Sequence, residues 1–162
     1  MAIHKLDIGE FDEIDYHLIA IHTSLEDYRL AYFINQKLLI NLGKSKDEVH
    51  IQIKGGATEF SRFYYDDNEN NIEWNLIQNI NEVIQQNEET THDLFSDTII
   101  KMATKVYLLP EFKKADYFLK IENSNDTINV SKIKQILNTI DEISTAYTID
   151  TDQIKSKNNL IF

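Results

Sequence analysis

The sequence contains no cysteine, one proline, four glycines and no long apolar run among its 162 residues. The absence of cysteine excludes disulfides, thiolate metal ligands and a cysteine nucleophile. No G-x-x-x-x-G-K-[ST], G-x-G-x-x-G or G-x-S-x-G segment occurs, so neither a nucleotide phosphate loop nor a serine nucleophile elbow is expected. No apolar run approaches the roughly 18 residues of a membrane-spanning helix, so no membrane association is expected.

Positive charge is also scarce, since 16 basic residues face 27 acidic ones and the net charge is −11. Residues 1–100 carry 7 basic and 19 acidic side chains, whereas residues 101–162 carry 9 and 8. This balance makes broad nucleic-acid binding unlikely, because a phosphate backbone needs a positive field. The weakest alternative is an RNA-associated accessory protein that uses the lysines of the last third; a solvated lysine surface is the more ordinary interpretation. Those lysines are Lys101, Lys105, Lys113, Lys114 and Lys120.

The length and the 42% hydrophobic content predict a globular chain with a core of its own. We expect one domain over residues 1–162, because no linker or internal repeat divides the sequence. The opening MAIHKLDIGEFDEIDY has no basic start followed by an apolar run, so no signal peptide is expected. A cytoplasmic protein is the resulting expectation.

The first half of the chain alternates between strand-like and helical patterns. Asp15–Thr23 is almost continuously apolar in its middle, which is typical of a strand covered on both faces. A helix should follow, with Ser24 as its N-cap and its end near Leu39. The turn DDNEN between 60–65 and 71–78 predicts a β-hairpin. The polar, acidic stretch Gln85–Asp93 is interpreted as a mobile loop.

The last third predicts a strand, an amphipathic helix and a second strand. The strands are ADYFLKIE from Ala115 and ISTAYTID to Asp150, with Ile143, Thr145, Tyr147 and Ile149 expected to face inward. Such a βαβ unit favours parallel strands with a right-handed crossover. The N-terminal strand–helix–strand could form a second unit. We therefore predict an α+β fold, a two-layer α/β sandwich with a mixed β-sheet and two main helices, in part ferredoxin-like.

The first helix is apolar over more of its circumference than a surface helix needs. One predicted stripe contains Leu25, Tyr28, Ala31, Tyr32 and Leu39, while Leu30, Phe33 and Ile34 lie outside it. Either another layer of the same chain or a partner subunit would cover the second side. The sequence thus predicts a homodimer or a protein partner, with Tyr28, Tyr32 and Phe33 as interface candidates.

The histidines give no metal-ligand pattern such as H-x-H or H-E-x-x-H, so no metal and no cofactor are expected. His17 and His22 lie an odd number apart in one predicted strand and should point to opposite faces. His22 stands beside a helix N-terminus, where free backbone N–H groups can bind an anion. A histidine packed at the strand end is the ordinary interpretation. The five histidines are His4, His17, His22, His50 and His92.

The segment LLPEFKKADYF, residues 108–118, contains the only proline of the chain. Glu111 and Asp116 are separated by a bend and could converge for acid–base chemistry, with His22 as a further candidate. In the structural alternative, Pro110 opens a short helical turn and Asp116 is satisfied by solvent or a lysine. Tyr117 should then face the core.

These residues resemble the signature of the bacterial IPExxxVDY family. Pro110, Glu111, Asp116 and Tyr117 match the motif, while Leu109 stands for its Ile and Ala115 for its Val. The stretches IHTSLEDYRLAY, TAYTID and KSKNNLIF are similar to other well-kept parts of that family. The resemblance implies a small intracellular bacterial protein and brings no assigned catalytic residue or cofactor.

Two hypotheses follow. The first is a non-catalytic domain that binds a protein partner or small ligand and self-associates, with Pro110, Glu111, Asp116 and Tyr117 as ligand or interface residues. The alternative is an enzyme that uses Glu111 or Asp116 as acid or base in a shared pocket.

Overall fold

A computed structural model describes residues 16–86, 101–123 and 127–162. These residues form ten strands and two α-helices, followed by short 3-10 turns near the end. Of the acidic stretch Gln85–Asp93, only Gln85 and Gln86 are among the described residues. His4 and His92 lie outside the described residues. The elements in chain order are β1 (Tyr16–Thr23), α1 (Asp27–Leu38), β2 (Gly43–Lys44), β3 (Val49–Ile53), β4 (Gly56–Phe60), β5 (Arg62–Asp67), β6 (Ile72–Gln78), β7 (Ile80–Gln86), β8 (Lys101–Tyr107), β9 (Tyr117–Asn123), α2 (Val130–Leu137) and β10 (Ile143–Ile149).

Six of the strands form the main sheet in the order β10-β1-β9-β6-β5-β2. Its first four strands carry two split βαβ units, β1–α1–β6 and β9–α2–β10. Each unit has a strand of the other unit between its own two strands. This is the arrangement of a ferredoxin-like sheet, so the α+β prediction with two main helices is confirmed. The strands β2 to β5 are inserted between α1 and β6.

The prediction of mixed pairing was wrong. Every hydrogen-bonded strand pair among the described residues is antiparallel. The strands β9 and β10 do run parallel to each other, as their βαβ connection requires, but β1 lies between them. Because the strands of the two βαβ units alternate in the sheet, no two parallel strands are neighbours, although each unit still connects two parallel strands.

One face of the main sheet is covered by both helices. Leu30, Ala31 and Ile34 of α1 are buried there together with Ile133 and Leu137 of α2. The stripe predicted for α1 was therefore wrong, because Tyr28, Tyr32 and Leu39 of that stripe are exposed. The N-cap prediction was also wrong: the helix begins after Glu26, which makes no side-chain cap bond.

The edge strand β10 departs from the predicted alternation. Ile143 and Ile149 are buried, but Thr145 and Tyr147 are exposed. The register between β1 and β10 shifts at Thr23, which pairs with Ile143 while His22 pairs with Thr145. One extra residue in β10 moves Ile143 onto the helix side of the sheet, and a strictly alternating pattern cannot anticipate that bulge.

The opposite face of the sheet is covered by strands and turns, which adds a third layer to the predicted two. The hairpin β3–β4, the segment after β8 and the C-terminal residues all contribute buried side chains to this second cluster. Two 3-10 helices, Thr151–Gln153 and Lys157–Leu160, carry the chain across it. Ile154 and Leu160 are buried against the sheet. In the described ranges, no helix has the length and apolarity needed to cross a membrane.

Candidate functional site

The segment between β8 and β9 is organised by one buried side chain. Asn79, which separates β6 from β7, is fully buried. Its Nδ2 donates to the carbonyl oxygens of Phe112 at 2.9 Å and Ala115 at 2.7 Å, while its Oδ1 accepts from the Leu109 N–H at 2.9 Å. The Asn79 backbone adds one bond from the Leu108 N–H and one to the Asp116 carbonyl. Five hydrogen bonds therefore fix the shape of this segment around Asn79.

The proline begins a short helical turn, as predicted. Pro110–Phe112 is a 3-10 helix with Glu111 in its first turn. The Glu111 carboxylate accepts hydrogen bonds from the N–H groups of Lys155 and Ser156, both at 2.9 Å, and from the Ser156 hydroxyl at 3.0 Å. Burial alone would raise the pKa of Glu111, but these bonds outweigh it and hold the pKa below its usual value. Glu111 thus ties the C-terminal residues to the motif.

Asp116 and Tyr117 join the same motif to the β1–α1 connection. One carboxylate oxygen of Asp116 accepts the Thr23 N–H at 2.9 Å, and the Tyr117 hydroxyl donates to the Leu25 carbonyl at 2.8 Å. Tyr117 faces the core, as expected. The Asp116 interpretation was wrong in one respect, because a backbone N–H and not a lysine satisfies it. The anion at this strand-to-helix junction is therefore the chain's own carboxylate.

A cleft of about 250 Å³ opens beside this junction. Three polar groups of its lining residues make no hydrogen bond to a described residue: the second Asp116 carboxylate oxygen, the Gln78 side-chain amide and the Ser24 hydroxyl. The other two side-chain hydroxyls are bonded, since Thr23 Oγ1 donates to the Glu142 carbonyl and the Tyr117 hydroxyl donates to the Leu25 carbonyl. The lining residues are Thr23, Ser24, Leu25, Gln78, Ile80, Asp116 and Tyr117.

Three carboxylates act on the charge of Tyr117, which lines the cleft. Burial, and then the charges of Asp27, Asp116 and Glu26, raise the pKa of Tyr117 to about 12. Asp27 itself accepts a hydrogen bond from the Ser61 hydroxyl and lies 3.6 Å from Lys44 Nζ. Burial would raise the Asp27 pKa, but these contacts lower it, so Asp27 keeps its negative charge.

The acid pair and the histidine predicted from sequence do not share this cleft. Glu111 and His22 are absent from its lining, whereas Asp116 belongs to it. His22 instead lies against Tyr147, with ring centroids 5.4 Å apart and Nε2 3.3 Å from the tyrosine hydroxyl oxygen. Across the described ranges, no group of three or more His, Asp or Glu side chains is placed to hold a metal ion.

The interface candidates on α1 are partly accessible. Tyr28 and Tyr32, one helical turn apart, are 59% and 58% exposed. Phe33 is half-buried and meets Tyr32 edge-on with centroids 5.6 Å apart. The two tyrosines thus form an aromatic surface on the outer side of α1.

The predicted basic patch loses one of its members. Lys120 is only 6% exposed; its Nζ donates to the Leu160 carbonyl at 2.9 Å and pairs with Glu122. The rings of Tyr16 and Phe162 lie within 5.0 Å and 4.8 Å of that ammonium group. Lys120 therefore holds the C-terminal residues and is unavailable to a nucleic acid.

The sequence patterns did not indicate Asn79, Gln78 or the role of Lys120. The signal for Asn79 was an amide pair, Gln78-Asn79, between the apolar residues Ile77 and Ile80. Lys120 stands in a run of buried residues in β9. Because a lysine is seldom buried unless it is paired, this position indicates that its ammonium group has a partner within the protein.

Comparison with known proteins gave no match: no family model, curated protein or solved structure is similar to this chain at a meaningful level.

Proposed function

We propose that the protein is a non-catalytic binding domain whose small-ligand site is the cleft beside the β1–α1 junction. The observation that carries the proposal is the contrast between bonded and unbonded polar groups in the motif. The Glu111 carboxylate and the Tyr117 hydroxyl form hydrogen bonds with backbone groups. Asp116, Gln78 and Ser24 line one cleft, and each has a side-chain polar atom without a hydrogen bond to a described residue. A few convergent polar groups in a concavity are what a small-molecule site requires.

The acid–base alternative has less support from these contacts. Glu111 accepts three hydrogen bonds and lies outside the cleft, so only Asp116 remains as a proton acceptor there. General acid–base chemistry usually needs a second positioned group. The RNA alternative is weakened in the same way, because Lys120 is buried beneath the C-terminal residues.

A cleft-filling variant tests the proposal. Ser24→Tyr places a ring in the cleft, whereas Ser131→Tyr adds the same ring at an exposed position of α2. We expect fragments from a library of neutral, cationic and anionic compounds to shift the amide NMR signals of residues 23–25, 78 and 116–117. Binding should disappear in Ser24→Tyr and persist in Ser131→Tyr. Equal binding to both variants, or no fragment at these amides of the wild type, would contradict the proposal.

Self-association through α1 is the second candidate, favoured by the exposed Tyr28 and Tyr32. The ends of α1 have opposite charge, with Glu26 before the helix and Lys37 in its last turn. Two copies of α1 packed antiparallel about a two-fold axis would place Glu26 of one near Lys37 of the other, with Tyr32 between them. The partner proposed for this face is therefore a second copy of the chain.

Sedimentation velocity tests the dimer. The wild type should sediment at about twice its 19.0 kDa mass at high concentration. Tyr32→Glu should be monomeric, because it places a charge at the centre of the interface. Gln135→Glu, which adds the same negative charge on the exposed side of α2, should not alter the mass. A wild type that stays at 19.0 kDa at every concentration would rule out this candidate.

We further propose that the chain is a cytoplasmic bacterial member of the IPExxxVDY family. The support is the segment Leu109–Tyr117 together with the stretches at either end of the chain. The hydrogen bonds of Glu111 and Tyr117 support a structural role for that motif.

A further inference from the structure

We infer that the cleft binds a small primary ammonium ligand and that Asp116 is the group that recognises it. The inference rests on the proposed small-ligand site and names the chemical class of the ligand. One Asp116 oxygen accepts the Thr23 N–H, which fixes the position of the carboxylate, and Asp116 lines the cleft. An ionised carboxylate accepts hydrogen bonds only, and a ligand must therefore supply the donor. An ammonium group supplies three donors and the opposite charge.

The surrounding charges favour a cation over an anion. Glu26 and Asp27 add two carboxylates close enough to Tyr117 to raise its pKa alongside Asp116. The N-terminus of α1 contributes the equivalent of only about half a positive charge. Asp27 in the first turn offsets that half charge, and Asp116 has taken the Thr23 N–H that an anion would need. Lys44 neutralises part of Asp27 but does not line the cleft.

The other lining groups limit the size and shape of the ligand. The cleft of about 250 Å³ lies below the roughly 300–1,000 Å³ of sites for drug-sized molecules. The accessible lining of the cleft is mainly polar, although Leu25, Ile80 and Tyr117 are among the lining residues. Gln78 and Ser24 can bond a second polar group. These features match a small primary ammonium group, either of a free amine or of a lysine side chain of another protein.

Titrations with probes of matched size test the ligand class. The probes are n-butylamine, which is cationic at neutral pH, butan-1-ol and butyrate, each followed by protein amide NMR. We expect n-butylamine to give saturable shifts at residues 23–25, 78 and 116–117, and the other two to give none. Nα-acetyl-lysine amide then distinguishes the two sources: tighter binding than n-butylamine identifies a lysine side chain, and weaker binding identifies a free amine.

Asp116→Asn is the decisive variant, because its amide oxygen can still accept the Thr23 N–H while the charge is lost. Loss of a hydrogen bond to a charged group should weaken n-butylamine binding about tenfold or more. Asp141→Asn removes an exposed acid of the α2–β10 turn and should leave binding unchanged. If both variants weaken n-butylamine binding equally, the net charge of the protein and not Asp116 determines binding, and the inference is wrong.

The failures of the two proposals are distinguishable. If butan-1-ol or butyrate saturates the cleft amides and n-butylamine does not, the ammonium assignment is wrong and the cleft remains a site. If n-butylamine does not saturate these amides, the inference fails whatever the fragment library shows. If the library also finds no binder at the cleft, the small-ligand function fails with it.

Discussion

At the scale of single residues, Asn79 accounts for the shape of the motif. Its side chain makes three hydrogen bonds to the chain between β8 and β9, two of them buried and one part-buried. Asn79→Ala leaves one donor and two acceptors without these partners. At about 1 kcal/mol each, the free energy of unfolding should fall by about 3 kcal/mol. Urea denaturation measures this loss.

Asn81→Ala is the matched control, since Asn81 lies two residues further on in β7 and its Nδ2 donates to the Thr58 hydroxyl and the Glu59 carbonyl. It should cost clearly less, because water can replace those bonds. If Asn79→Ala costs no more than Asn81→Ala, the organising role assigned to Asn79 is incorrect.

A pair of like charges makes the opposite prediction, a stabilising substitution. Glu73 of β6 lies directly opposite Glu122 of β9, with Asp66 on its other side. Burial and then the Glu122 charge and hydrogen bond raise the Glu73 pKa. Glu73→Gln removes the repulsion and keeps a donor for Glu122. Because like charges directly opposite cost up to about 1 kcal/mol, the Tm at pH 7 should rise by about 1–3 °C.

The pH dependence provides the check on Glu73. A carboxyl whose folded pKa is raised favours the folded state fully below its unfolded pKa, and this contribution is lost as the pH rises through the folded pKa. The Tm advantage of Glu73→Gln should therefore appear above the folded pKa of Glu73 and vanish at acid pH. An advantage that is the same at pH 3 and pH 7 would show that charge repulsion is not its source.

At the scale of elements, the exposed edge of β10 is guarded by one side chain. The strand ISTAYTI contains no charge and no proline, the residues that usually protect an edge. Asn138 takes their place: its Oδ1 accepts the Ala146 N–H at 2.8 Å and its Nδ2 donates to the Ala146 carbonyl at 2.9 Å. It thereby occupies the backbone groups that a neighbouring strand would bond. We expect Asn138→Ala to aggregate through this edge at high concentration.

Asn35→Ala is a close control for this prediction. Asn35 bonds the N–H and carbonyl of Leu42 in the same two-point manner, but in the connection after α1 and not at a sheet edge. Both substitutions should lower the free energy of unfolding by about 1–3 kcal/mol. Only Asn138→Ala should increase light scattering. Comparable scattering from the two variants would mean that lost stability, and not the open edge, drives association.

The elements also show what a sequence pattern can and cannot predict. The strand β1 was predicted from its continuous apolar run, and the β5–β6 hairpin from the polar turn DDNEN between its strands. The inner side of α1 was not, because tyrosine is apolar enough to join either stripe and only the packing on the sheet decides between them. The residues of β10 that were predicted to share one face do not, because a bulge between Ile143 and Thr145 shifts the period by one residue and places Ile143 and Ile149 in different clusters.

At the scale of the whole molecule, the C-terminal residues serve as a cover for the second sheet face. They are held by Glu111, by Lys120 and by Asn159, whose Nδ2 donates to the Leu108 carbonyl at 2.8 Å. Removing residues 154–162 exposes apolar surface of the second cluster and leaves the Lys120 charge with fewer partners. We expect the shortened chain to bind a hydrophobic dye strongly and to lose much of its near-ultraviolet circular dichroism. Dye binding equal to that of the full chain would contradict this covering role.

The sequence could not predict this cover or the candidate cleft, because both depend on contacts between distant residues. Pro110, Glu111, Asp116 and Tyr117 stood out in the sequence. The hydrogen-bond partners of the last three are distant, however: Ser156 is 45 residues from Glu111, Thr23 is 93 from Asp116 and Leu25 is 92 from Tyr117. The motif was recognisable as a bend held by its polar residues. Which acid was internally bonded, and which faced a cleft, was decided only by the strand order that brings β1 beside β9.

In the proposed function, Glu111 stabilises the fold while the charge of Asp116 is available for binding. Urea denaturation of Glu111→Ala beside Asp116→Asn tests these two roles. Glu111→Ala should lower the free energy of unfolding by about 1–3 kcal/mol, because three donors lose their acceptor. Asp116→Asn keeps an acceptor for the Thr23 N–H and should stay within about 0.5 kcal/mol of the wild type. The opposite ranking, a neutral Glu111→Ala with a destabilising Asp116→Asn, would contradict the account.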